Sequence, residues 1–214
     1  MHDDFATEPV KGLPARPPEG EAILWQGRPK TWALARDALA LYWVAGYFVL
    51  LAGWRIVVSL ADTSLGEALS GSMPYLILGG LCCAILLGIA YMQARATVYI
   101  VTSKRVSMRI GAALILYYNL PFTQIGNANL DLRRDGTGTI ALQLMGNDRL
   151  SYTMTWPHVR PWRMTRTEPA LRCIPDAASV AKILAEAAET RVSVPQVTRN
   201  APADAAAVAA ECLP

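Results

Sequence analysis

His2 and His158 are the two imidazoles of the sequence, far apart and with no cysteine at ligand spacing from either, so a zinc site is not expected. Ser103 and Lys104 are neighbours at the end of a predicted strand, where successive side chains point to opposite faces. That geometry argues against a Ser-Lys nucleophile pair. Gly136-Thr137-Gly138 lacks the preceding strand and following helix of a phosphate-cradling loop and reads as a turn. Cys82 and Cys83 are adjacent in an apolar run, Cys173 stands alone, and Cys212 is the third residue from the end. They form no disulfide framework, and the adjacent pair reads as small packing residues. No metal site and no catalytic constellation emerge, and the chain is expected not to be an enzyme.

Binding chemistry is denser. Trp156-Pro157-His158-Val159-Arg160-Pro161-Trp162-Arg163 joins two large apolar surfaces, an imidazole and two guanidinium groups, with Arg166 just beyond. Trp and Arg are the residues most enriched in interface hot spots, and together they also suit anionic lipid headgroups. The two prolines limit the entropy lost when a partner orders the segment. Trp156, His158, Arg160, Trp162 and Arg163 are therefore the expected partner-binding residues. The blander alternative is a rigid loop whose tryptophans stack on the domain, with His158 hydrogen-bonded or exposed.

The elements that must carry this loop divide the chain sharply. Charged residues make up 17%, mean hydropathy is +0.25, and the apolarity concentrates in Leu39–Ala61 and Met73–Ala94. Each block is long enough for a helix of about 20 residues that crosses a bilayer. Arg55 is the one charge inside them, close enough to an end to snorkel. Trp32, Trp54, Tyr75 and Tyr91 flank the spans as interfacial aromatics. Arg28, Lys30 and Arg36 precede the first span and Arg95, Lys104 and Arg105 follow the second, whereas the connecting loop carries Asp62 and Glu67 and no basic residue. The positive-inside rule then places both termini in the cytoplasm. The acidic start at Met1–Phe5 does not read as a cleavable signal. Gly80, Ala84 and Gly88 form a small-residue ridge on the second span. It serves helix packing, either between the two spans or against a second copy or a partner's membrane helix. The formal charge of +3 with no basic stripe gives no ground for nucleic-acid binding.

Beyond the second span the pattern alternates. Strands are predicted at Thr97–Thr102, Arg105–Ile110, Ala113–Tyr118, Asn127–Arg133, Thr139–Leu144, Arg149–Thr155 and Leu171–Ile174, with Asp135-Gly136 as a hairpin turn. A helix over Ala177–Thr190 turns Val180, Ile183, Leu184 and Ala187 to one face. The fold class is α+β: a two-helix transmembrane hairpin plus a small β-sandwich or open barrel plugged by a C-terminal helix. The expected organisation is a flexible segment over 1–22, a pre-membrane segment over 23–37, spans over 38–61 and 73–94 around a periplasmic loop over 62–72, a cytoplasmic domain over 96–190 and a disordered tail over 191–214.

Glu19–Pro29 (EGEAILWQGRP), the two spans, Tyr99–Val106 (YIVTSKRV) and Leu120–Ile125 (LPFTQI) resemble bacterial PH-like membrane proteins. More narrowly, the opening around His2–Phe5 and the stretch Trp156–Arg163 resemble the PuhB family, assembly factors for the photosynthetic reaction centre of purple bacteria. The resemblance implies a PH-like barrel, an inner (intracytoplasmic) membrane containing bacteriochlorophyll, contact with reaction-centre subunits and core antenna, and self-association. No resident cofactor is expected. A chlorophyll magnesium usually takes an imidazole and neither span has one, which leaves only a transient bacteriochlorophyll contact at His158. The rival reading is a lipid-sensing or scaffold protein of the PH-like class unrelated to photosynthesis. A transporter fits worst, since two spans with one charge offer no polar pathway.

Overall fold

The computed structural model describes residue 10 and residues 12–111, 114–145 and 150–193. Most of the expected tail, from 194 onward, and residues 146–149, including the start of the strand expected over Arg149–Thr155, lie outside the described residues.

Two long helices dominate one half of the molecule. Helix α1 (Thr31–Asp37) lies within the expected pre-membrane segment, and Ala40, with φ 54, turns the chain from it into α2 (Leu41–Ser59). Helix α3 (Leu65–Ala96) begins well before the expected Met73. The cause is local: Ser64 and Glu67 form a capping box, with the Ser64 N–H donating to Glu67 Oε2 at 3.1 Å. The predicted loop over 62–72 thus shrinks to residues 60–64. Both helices are long and apolar enough to cross a membrane. They are apolar on every side, with Leu50, Trp54, Ile77, Leu81 and Ile85 exposed.

The two helices pack through Gly79, where a methyl group would lie 2.6 Å from Phe48 Cβ, with Ala68, Ser72 and Ala90 also buried. The expected ridge is a different face. Gly80, Ala84 and Gly88 are exposed, and nothing lies within 4 Å of a methyl placed at Gly80 or Gly88. Packing between the two spans, one of the two roles expected for this ridge, belongs instead to the stripe one residue round the helix.

The other half is two antiparallel sheets. Strands β1 (Ile23–Gly27), β2 (Val98–Thr102), β3 (Arg105–Ile110) and β4 (Leu116–Pro121) lie in that order, and β5 (Ile125–Leu132), β6 (Gly138–Leu144) and β7 (Ala170–Ile174) form the second sheet. Tyr99, Val101, Val106 and Met108 from the first sheet meet Ile140, Leu142, Leu171 and Ile174 from the second. Helix α5 (Ala177–Ser193) closes the core with Val180, Leu184 and Ala187. The expected strand over Arg149–Thr155 is corrected to a single turn of helix, α4 (Tyr152–Thr155), in which the Thr155 N–H and hydroxyl both reach Ser151 O.

Two domain boundaries also change. Residues 23–37 are part of the domain, because β1 pairs directly with β2: Trp25 opposes Val101, Gln26 opposes Ile100 and Gly27 opposes Tyr99. The helical hairpin is therefore an insertion between two adjacent strands. The expected flexible segment is in part ordered, since Val10 and the buried Leu13 cover Val98 and Ile100 on the outer face of the sheet. That cover explains why β2 is buried along its whole length and does not alternate.

Candidate functional site

The loop between α4 and β7 is closed at its neck by backbone pairing. His158 N–H donates to Thr155 O at 2.8 Å, Ala170 N–H to His158 O at 2.9 Å and Arg160 N–H to Glu168 O at 2.9 Å. Val159 and Pro169 form an isolated β-bridge. Inside this neck His158 is 1% exposed. Its Nδ1 lies 2.6 Å from the Tyr99 hydroxyl and its Nε2 lies 3.1 Å from Thr97 Oγ1. The Tyr99 oxygen already accepts the Arg172 N–H at 3.3 Å, so the network assigns the Tyr99 proton to Nδ1 and leaves Nε2–H to donate to Thr97. Burial, assisted by the charge of Arg172, holds the imidazole down at about 3, and burial likewise raises the Tyr99 hydroxyl above its ordinary value. The ring is neutral at any physiological pH.

These contacts fasten the loop to the base of the helical hairpin. Thr97 is the residue that ends α3. The Arg172 guanidinium donates to Pro157 O at 3.2 Å and to Asp37 O, the last carbonyl of α1, at 3.1 Å. His158 was expected on the contact surface; the structure puts it in the joint beneath that surface. Both ring nitrogens are engaged, so the sharper role of pigment ligand has no nitrogen left to use.

The arginines are also committed. Glu168, with 5% of its side chain exposed, receives Arg160 Nη1 on Oε2 at 3.0 Å and Arg163 Nη1 on Oε1 at 3.4 Å. One buried carboxylate thus braces both sides of the loop, and these cations hold its shape as well as offering charge. What the brace presents is apolar. Trp162 is 88% exposed, with φ 66, a left-handed conformation that a bulky residue seldom adopts. Trp156, Met154 and Met164 are exposed beside it in sequence. Of the five expected residues, Trp156 and Trp162 therefore stand on the surface, Arg160 and Arg163 buttress it, and His158 anchors it. Glu168 and Met164 were missed. A signal for Glu168 was present, since it is the sole carboxylate in residues 156–169 among three arginines. Among the described residues no group of three or more His, Cys, Asp or Glu is placed to hold a metal ion.

Residues 39–188 match the family model described as Bacterial PH domain. The chain belongs to that family. The matched stretch begins after β1 and α1, although β1 is a full member of the first sheet of this bacterial PH domain. An uncharacterized 23.7 kDa protein in the puhA 5′ region of Rhodobacter capsulatus is 44% identical over 210 residues, covering 97% of this chain and 98% of the relative. The similarity therefore takes in the bacterial PH domain, both long helices and the tryptophan loop together. No solved structure matches the chain.

Proposed function

We propose that the protein is a non-enzymatic assembly factor for the photosynthetic reaction centre and its core antenna, acting by protein–protein contact in and beside the inner (intracytoplasmic) membrane. In this reading α2 and α3 span the bilayer, the PH domain and both termini are cytoplasmic, and the loop around Trp162 meets a reaction-centre or antenna subunit. The Gly80–Ala84–Gly88 face, left open by the packing of α3 on α2, receives a second copy or a partner's helix. No catalytic group or cofactor is required.

The observation that carries the reading is the braced, outward Trp162 at the base of an apolar hairpin, in a chain similar along nearly its whole length to a protein in the puhA 5′ region. Trp162 together with the exposed Met164, Trp156 and Met154 groups large apolar side chains on one braced loop, the composition of a surface that anchors a partner. The relative's place in the puhA 5′ region supports a partner connected with photosynthesis. The test replaces the chromosomal copy with Trp162→Ala. Membranes should hold normal amounts of the variant by immunoblot yet show reduced reaction-centre and antenna absorbance. Full absorbance, in the variant and in a deletion strain alike, would overturn the assembly role and favour a PH-domain scaffold unconnected with photosynthesis.

A further inference from the structure

A cleft of about 790 Å³, with no residue of the tryptophan loop in its lining, lies where the β5–β6 turn meets the start of the first apolar helix. One wall is Tyr42 and Trp43, in the first turn of α2, and the other runs from Asp131 to Asp135. Arg36 and Asp37, at the end of α1, form the floor. Most of the charges there already satisfy one another. Asp37 takes Arg36 Nε at 2.8 Å and Arg133 Nε at 2.7 Å. Asp135 takes Arg36 Nη2 at 3.1 Å, and hydrogen bonds from Thr137, then Arg36, hold it down at about 2.

Two charges remain. Arg134 and Asp131 line the cleft, are exposed, and make no ion pair among the described residues. The lining therefore offers one unpaired cation and one unpaired anion around an otherwise neutral cluster. A purely anionic ligand would meet the unpaired carboxylate of Asp131, and a purely cationic one the unpaired guanidinium of Arg134. A zwitterion meets neither penalty. The apolar part of the lining, Leu132 with Tyr42 and Trp43, continues onto the exposed aliphatic surface of α2. Aromatic side chains in the first turn of an apolar helix also mark the depth at which headgroups sit.

We infer that this cleft binds the headgroup of a zwitterionic phospholipid bearing a primary ammonium, with the phosphate on Arg134, the ammonium on Asp131 and the acyl chains along α2. The primary ammonium matters, because it donates hydrogen bonds to a carboxylate where a quaternary ammonium cannot. The inference rests on the reading that α2 and α3 span the bilayer, and its test separates the two.

Membranes holding the full-length protein are first washed with alkaline carbonate; release of the protein would overturn the spanning reading and this inference together. Retained protein is then reconstituted with equal mole fractions of phosphoethanolamine, phosphocholine and phosphoglycerol lipids of one chain length. After gentle delipidation, native mass spectrometry counts the lipids still bound. The phosphoethanolamine lipid should be held about fivefold or more over each of the others, the size expected of one partly shielded charge-assisted contact. Asp131→Asn should abolish the preference over phosphocholine, and Arg134→Gln should lower retention of all three. Equal retention of the three lipids by the wild-type protein, or a preference for phosphoglycerol, would overturn the inference and leave the spanning reading intact. A wild-type preference that neither variant alters would overturn the site.

Discussion

At the scale of single residues, the His158 joint carries its own test. Tyr99, His158 and Thr97 form one chain of hydrogen bonds that holds only while the imidazole stays neutral. The folded-state value of about 3 lies below the ordinary 6.5, so the unfolded chain takes up a proton that the folded chain refuses. This contribution to stability is complete above about pH 6.5 and is lost as pH falls toward 3, at a slope of up to about 1.4 kcal/mol per pH unit. Asp135 acts in the same direction but only between about 3.8 and 2. Melting of the detergent-solubilised protein between pH 6 and pH 4.5, roughly the range where the histidine titrates alone of the two, should therefore steepen in wild type and flatten in His158→Gln. Equal slopes would show that the ring is not buried neutral. The loop brace makes a second prediction. Glu168→Gln should leave the core melt within about 1–2 kcal/mol of wild type, since both arginines are partly exposed and screened, yet speed amide exchange across residues 156–168. Unchanged exchange there would mean that the ion pairs do not hold the loop. The density of Trp and Arg in this loop was legible from its composition, because it is a local property. The division of labour within it was not. Whether an arginine faces a partner or a buried Glu168 depends on how the neck closes, and Val159 meets Pro169 only in the folded chain.

Among the elements, the helical hairpin shows how narrow the margin between two faces is. Successive positions on a helix are about 100° apart, so a packing stripe through Gly79 and a ridge through Gly80 look in different directions. Both stripes are small in sequence, and only the bulk opposite them, Phe48 against Gly79, separates the packed face from the open one. Gly79→Leu should thus disrupt the hairpin, costing about 1–3 kcal/mol or more through overpacking, and lower the amount of protein in membranes. Gly80→Leu with Ala84→Leu should insert normally while weakening self-association, read by cross-linking in detergent. Cross-linking equal to wild type in the second variant would move any dimer contact to the PH domain. The existence and approximate position of both long helices were legible, because an all-round apolar run is a strong signal. The early start of α3 was missed although Ser64 and Glu67 spell a capping box. Ser70, Gly71 and Ser72 interrupt the apolar run just before Met73, and the cap carries the helix through them.

For the molecule as a whole, the decisive feature is that adjacent strands enclose the helical insertion. Residues 23–27 were recognised as a motif but not as a strand, because their partner lies beyond both long helices and no local pattern announces so distant a pairing. The pairing has a topological consequence: if α2 and α3 cross the bilayer, β1 and β2 must emerge on one face and residues 60–64 on the other. An alkaline phosphatase fused at Thr63 should be active and one fused after Ser193 silent, and the opposite pattern would put the PH domain outside the cytoplasm. The pairing also predicts what the domain needs in order to fold. Residues 96–193 alone lack β1, leaving β2 with an open edge and Leu13's cover of Val98 and Ile100 removed. Ala33 and Leu34 of α1 are lost too, uncovering Cys173 at the root of β7. That fragment should be insoluble or melt without cooperativity. Replacing residues 38–95 by a flexible linker of about 8 residues keeps β1 and α1 and shortens the connection to the length of an ordinary loop. This chain should be soluble and unfold in one cooperative step, by circular dichroism and intrinsic fluorescence alike. If the fragment 96–193 folds as cooperatively as the linked chain, β1 is dispensable and the domain begins after the hairpin. If only the linked chain folds, the hairpin is an insertion in a domain that must close around it, so β1 and β2 can complete the first sheet only once both long helices lie between them in the made chain.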